Sequence, residues 1–131
     1  MSSFDVIAIV ISILGLAVSL TYYAIVLRNQ NETRQTQLYM RIWERWNSDS
    51  FMQHIITIFN WEFKTYEEFF AKYGEEAILP YSVVETFFEG LGVLVKRGML
   101  EVSIVDDFMS SEIEMYWEKM KPVVDGMRNS D

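Results

Sequence analysis

From Val6 to Leu27 the chain runs for 22 residues without a charge, Pro, Asn or Gln. As a helix that run rises about 33 Å, which matches a bilayer hydrocarbon core of about 30 Å. No other stretch of the chain compares with it, and it predicts a transmembrane anchor over residues 1–28. Asn29 to Gln37 is polar, with no Pro/Gly/Ser-rich linker, so the helix is expected to continue out of the membrane. Over residues 29–46 it becomes an amphipathic stalk: Leu38, Ile42 and Trp46 recur at intervals of four, with Tyr39 and Trp43 beside them. That stripe is expected to find a partner surface, either the chain's own core or an interface.

Beyond Trp46 the pattern predicts about five short helices over residues 47–131. Asn47 or Ser48 is placed to cap a helix carrying Phe51, Ile55, Ile58 and Phe59 and ending near Asn60. The capping box Thr65-x-x-Glu68 opens the next, which stops at Gly74; residues 75–79 read as a loop. Pro80 suits the first turn of a helix through Val83, Val84, Phe87, Phe88, Leu91, Leu94 and Val95, closed by Lys96-Arg97-Gly98. Ser103-x-x-Asp106 and Ser111-x-x-Glu114 each read as the start of a further helix, the last kinked or weakened at Pro122. No window alternates at period two, so the fold class is all-α: an N-terminal transmembrane helix, a stalk and a small helical bundle. Trp43, Trp46, Trp61 and Trp117 are expected in its core or at an adjoining interface.

Charge gives the anchor a direction. Asp5 is the sole charge ahead of the run, whereas Arg28, Arg34, Arg41 and Arg45 follow it, so the positive-inside rule places the C-terminal domain in the cytoplasm and the N-terminus outside. Tyr22 and Tyr23 fall near the inner interface and Phe4 near the outer one. A cleaved secretory signal would want a basic flank, a shorter apolar run and an Ala-x-Ala-like site, and none of these is present. The sequon Asn31-Glu32-Thr33 would carry a glycan only if this orientation were reversed.

Residues 1–46 hold four Arg against Asp5, Glu32 and Glu44, while residues 47–131 hold seven Lys/Arg against sixteen Asp/Glu. Such an acidic domain repels phosphate backbones, which argues against nucleic acid as a partner. There is no cysteine, hence no disulfide and no thiolate chemistry.

The stretch Phe87-Phe88-Glu89-Gly90-Leu91-Gly92-Val93-Leu94-Val95-Lys96-Arg97-Gly98, the stretch Tyr116-Trp117-Glu118-Lys119-Met120-Lys121-Pro122-Val123-Val124 and the stalk motif Tyr39-Met40-Arg41-Ile42 resemble an uncharacterised family, domain of unknown function 4760. The resemblance covers most of residues 38–128. It implies the same architecture, a membrane helix, a stalk and short helices, and implies no activity, cofactor or catalytic residue.

Candidate chemistry is sparse. His54 is the single histidine, and no nucleophile-elbow signature accompanies it. Glu85 and Glu89 lie four apart, with Glu112, Glu114 and Glu118 elsewhere, but Glu-x-x-His motifs are missing, so they read as a solvated acidic face rather than a di-iron site. Asp106-Asp107 lacks calcium-loop spacing. Gly90-x-Gly92 lies inside a helical pattern, so close approach of another helix accounts for it better than a dinucleotide turn. The methionines, Met109, Met115, Met120 and Met127 among them, suit core filling or an adaptable groove.

The membrane run holds one more pattern. Ala8, Ser12, Gly15, Ser19 and Tyr22 recur at steps of four, three, four and three, which lays small groups along one seam. Helix association in lipid rests on such close packing, although a lone helix with incidental small residues fits equally. The sequence therefore supports a non-enzymatic single-pass protein of the cell membrane without a cofactor. It would serve as an accessory or regulatory subunit of a larger membrane complex or as a self-associating scaffold, its partners being the bilayer and other membrane subunits or its own copies. The alternative is a membrane-tethered sensor whose helical domain binds a ligand or a soluble protein.

Overall fold

The structure, a computed structural model, describes residues 1–130. Its contacts divide the chain into two units, residues 1–37 and residues 38–131, and among the described residues every regular element is a helix.

The first unit is built from one helix. Helix α1 spans Ser3–Trp46; its sole glycine is Gly15 and it contains no proline, so nothing in it interrupts the hydrogen-bond ladder. It begins with a reciprocal cap that the sequence pattern did not announce. The Asp5 N–H donates to Ser2 Oγ at 3.2 Å, and the Ser2 N–H and hydroxyl both donate to Asp5 Oδ2 at 2.9 Å. Within the apolar run two hydroxyls turn back onto their own helix. Ser12 donates to the Ala8 carbonyl at 2.8 Å and Thr21 to the Ala17 carbonyl at 2.9 Å, which satisfies donors that hydrocarbon could not. From Val6 to Leu27 every residue except the half-buried Val26 is exposed.

Two helical stretches are long and apolar enough to cross a membrane by length and composition alone, residues 3–46 and residues 66–96. They differ in what surrounds them. The second contributes Phe69, Val84 and Leu91 to a buried core, and a core helix of this kind passes the same test of composition.

The second unit gathers the C-terminal turns of α1 with α2 (Asp49–Phe59), α3 (Tyr66–Tyr73), a 3-10 turn (Gly74–Ala77), α4 (Ile78–Lys96) and α5 (Val102–Asn129). Four helices thus follow the stalk rather than about five. The expected break before Ser111 is absent because nothing between Val102 and Lys121 forces one: the stretch holds no Gly or Pro, and Ser and Glu are tolerated in a helix interior. Helix α5 also runs through Pro122 to Asn129, giving up one amide donor without ending. Residues 75–79 are likewise not a loop, since the 3-10 turn leads straight into α4 at Ile78.

Several termini follow the local chemistry closely. The Thr65 hydroxyl accepts from the Glu68 N–H at 3.1 Å, while Glu68 Oε2 accepts from the Lys64 N–H at 3.1 Å. Gly74 and Gly98 adopt φ of +48° and +69°, a region that favours glycine and so fixes where α3 and α4 end. Ser48 stands at the N-cap of α2 without bonding to it; its hydroxyl and the Asn47 amide instead donate backward to the carbonyls of Arg45 and Trp43. These two side chains therefore close α1 rather than open α2.

In this unit α2 packs against α4 and α3 against α5. Phe51, Ile58, Val84, Leu100, Met109, Met120 and Val123 are essentially solvent-free. Trp46 joins the core through rings of Phe51 at 5.3 Å and Phe87 at 5.6 Å, and Trp61 stacks against Phe69 at 5.1 Å and Tyr73 at 5.4 Å. Offset and edge-on aromatic pairs of this kind add about 0.5–1.5 kcal/mol beyond their buried area. Where α5 meets α3, a Cβ added to Gly126 would collide with the Tyr66 ring, so the missing side chain is what allows the approach.

Candidate functional site

A groove runs between α4 and α5, and the sequence explains its walls. Five residues, 97–101, join the two helices, which therefore run antiparallel as a helical hairpin. On α4, Glu85, Glu89, Gly92 and Lys96 recur at steps of four, three and four, on one stripe of the helix. On α5, Val105, Ile113, Tyr116 and Trp117 face them across a cavity of about 520 Å³. Its floor is apolar, with Leu91 and Val105 buried and Phe88, Val95 and Ile113 half-buried. Gly92 leaves a gap in the α4 wall: a Cβ there would have nothing within 4 Å, and the same is true of Gly90. No helix of this chain approaches either glycine, contrary to the close approach that Gly90-x-Gly92 suggested.

One end of the groove is acidic. The buried Tyr116 hydroxyl donates to Glu85 Oε2 at 2.7 Å, and Phe88 lies over Tyr116 with ring centroids 4.7 Å apart. Burial, reinforced by that hydrogen bond to a carboxylate, pushes the Tyr116 hydroxyl far above its ordinary ionisation range. Burial also raises Tyr81, to about 12, with the charges of Glu85 and Glu89 adding to it. Glu85 is thus a half-buried acceptor with a fixed donor rather than part of a freely solvated face; Glu89, one turn on, is exposed. At the other end stands the exposed Lys96.

The stalk stripe is split. Tyr39 and Trp46 are buried, Leu38 and Ile42 are half-buried, and Trp43 is exposed. Tyr39 and Trp43 meet Phe108 of α5, with ring centroids 4.8 and 6.4 Å apart, and the Tyr39 hydroxyl is buried with no hydrogen-bond partner among the described residues. Trp61 is in the core and Trp117 is exposed at the groove. Met109 and Met120 are fully buried, Met127 is half-buried and Met115 is exposed.

The membrane-run seam of Ala8, Ser12, Gly15, Ser19 and Tyr22 lies wholly on exposed surface, and a Cβ at Gly15 would meet nothing within 4 Å. His54 is half-buried on α2. Among the described residues no group of three or more His, Asp or Glu is placed to hold a metal ion, and Asp106 and Asp107 are exposed on α5.

Sequence reasoning did not bring Tyr116, Ile113, Val105 and Gly92 together. The signal was present in the α4 stripe of Glu85, Glu89, Gly92 and Lys96, but it became a wall only once α5 was one helix long enough to face it.

The family described as a domain of unknown function (DUF4760) matches the chain over residues 6–131. No curated protein and no solved structure matches it.

Proposed function

The chain belongs to the family described as a domain of unknown function (DUF4760), and from its architecture we propose a single-pass, non-enzymatic membrane interaction protein that serves as an accessory or regulatory subunit of a larger membrane complex. One observation carries this reading: the apolar side chains of residues 6–27 have no partner surface within their own unit and stand exposed almost without exception. Apolar surface on that scale belongs in lipid or against other membrane helices. The second apolar stretch, residues 66–96, contributes Phe69, Val84 and Leu91 to a folded core, which supports a single span. The cluster Arg28, Arg34, Arg41 and Arg45 after that span supports a cytoplasmic side for the helical domain. Ala8, Gly15 and Ser19 would then offer a seam along which a neighbouring helix approaches closely.

Mild extraction from native membranes, followed by intact-complex mass measurement, tests the proposal. It predicts a stoichiometric complex heavier than the chain alone, and replacing Gly15 and Ser19 together with Leu should weaken it by about tenfold or less, the scale of one helix-packing contact. A chain recovered alone, with its fold intact, would contradict the proposal.

A further inference from the structure

We infer that the groove between α4 and α5 is the receptor for an amphipathic helix of a partner protein, docked with a Lys or Arg at Glu85 and Glu89 and its acidic end at Lys96. The inference rests on the proposed role in a complex and names the surface and the chemistry by which the partner is held. Four observations converge on it.

The first is shape. From Glu85 to Lys96 the α4 wall measures about 16 Å, or three helical turns, and the cavity of about 520 Å³ accommodates the few large apolar side chains that such a helix presents at positions i, i+4 and i+7. The second is Gly92. A glycine in a helix interior costs about 1 kcal/mol relative to alanine, and here no contact within the chain accounts for it, since the space over it is open. A helix laid in the groove would pass closely over that gap, as small residues permit. The third is the charge order along one stripe, two carboxylates at one end and an ammonium at the other, which decides which end of the docked helix is basic and which acidic. The fourth is the Tyr116 bond to Glu85, which holds one carboxylate in position before any partner arrives.

Charge also selects the kind of occupant. An anionic lipid head group would be repelled at the Glu85/Glu89 end. A second copy would bring residues 47–131 with the same excess, seven basic residues against sixteen acidic ones, so a helix of a different protein, basic at one end and acidic at the other, fits best.

The test uses the full-length protein in native membranes. It compares the wild type with Gly92→Trp, which fills the groove, with Glu89→Lys, which reverses an exposed charge at its rim, and with Gly90→Trp, the same change roughly 200° around the helix. Each variant is first checked for a wild-type thermal melt; if Gly92→Trp fails to fold, Glu89→Lys carries the comparison. Chemical crosslinking read by mass spectrometry identifies what lies against α4 and α5. The expected result is a loss of partner by about tenfold for Gly92→Trp and about fivefold for Glu89→Lys, with Gly90→Trp unchanged. Crosslinks should map to a helical segment of another protein that carries Lys or Arg. A wild-type complex that survives both groove variants undiminished would overturn the groove and leave the accessory role standing. Crosslinks to lipid or to a second copy would overturn the inference as well. A wild-type chain recovered bare would instead overturn the accessory role, and the groove's partner with it.

Discussion

Residues 6–27 and residues 78–95 are two apolar helical stretches of similar length, and the chain treats them in opposite ways. The first stands with its side chains outward and none of its residues fully buried, while the second hides Val84 and Leu91 completely or nearly so and turns Glu85 and Glu89 toward a groove. Composition alone does not separate them, since both pass a length-and-hydropathy test for spanning a membrane. What separates them is pattern. The first is apolar all round, and the second carries two carboxylates on one side and large apolar groups on the other. A helix that is apolar on every face calls for an apolar surround; one that is apolar on part of its circumference calls for a core.

Substitutions that act on one region and spare the other sharpen this contrast. The largest effect should come from Phe51→Ala, which empties a fully buried ring site between Trp46 and Phe87. A loss of about 3–5 kcal/mol is expected in the melt of residues 38–131, with membrane insertion unchanged. Leu14→Arg should do the reverse, disfavouring insertion by about 2–4 kcal/mol in an insertion assay while the helical domain melts as before.

Two glycines give a smaller and more discriminating pair. Gly126→Ala forces a Cβ into the Tyr66 ring and should destabilise the domain by about 1–3 kcal/mol. Gly90→Ala meets open space in a helix interior and should stabilise it by about 0.5–1 kcal/mol. Thermal melts that moved in the same direction would contradict the packing described here.

A further effect is expected at alkaline pH. The folded-state values of Tyr81 and Tyr116 both lie above the ordinary 10, so the folded chain retains protons that the unfolded chain releases. Their contribution is complete below pH 10 and is lost as pH rises, through about 12 for Tyr81. Tyr116→Phe removes the donor to Glu85, for a loss of about 1–2 kcal/mol at neutral pH, and should flatten that alkaline decline in a pH series of melts.

Much of the fold was legible because its determinants are local. The Thr65 cap, the glycine stops at 74 and 98 and the apolar run each depend on residues within a few positions, and each lies where the pattern placed it. The reading failed where two local signals competed. Ser111-x-x-Glu114 has the form of a cap, yet a helix already under way carries Ser and Glu through its interior when packing of Met109, Tyr116 and Met120 holds it. That error concealed the groove, because α5 had been divided at the point where it forms a wall. The Gly126–Tyr66 approach was hidden for a different reason: it depends on two helices 60 positions apart in the chain.

In the proposed topology residues 6–27 cross the membrane and the helical domain that follows faces the cytoplasm. The absence of cysteine from the chain makes the direct test simple. Single replacements Ser2→Cys, Leu14→Cys and Ser110→Cys are exposed in sealed cells to a membrane-impermeant maleimide, before and after permeabilisation. The account predicts that Ser2→Cys reacts in intact cells, that Ser110→Cys reacts only after permeabilisation, and that Leu14→Cys reacts in neither. Labelling of Ser2→Cys and Ser110→Cys from the same side, or ready labelling of Leu14→Cys, would contradict it.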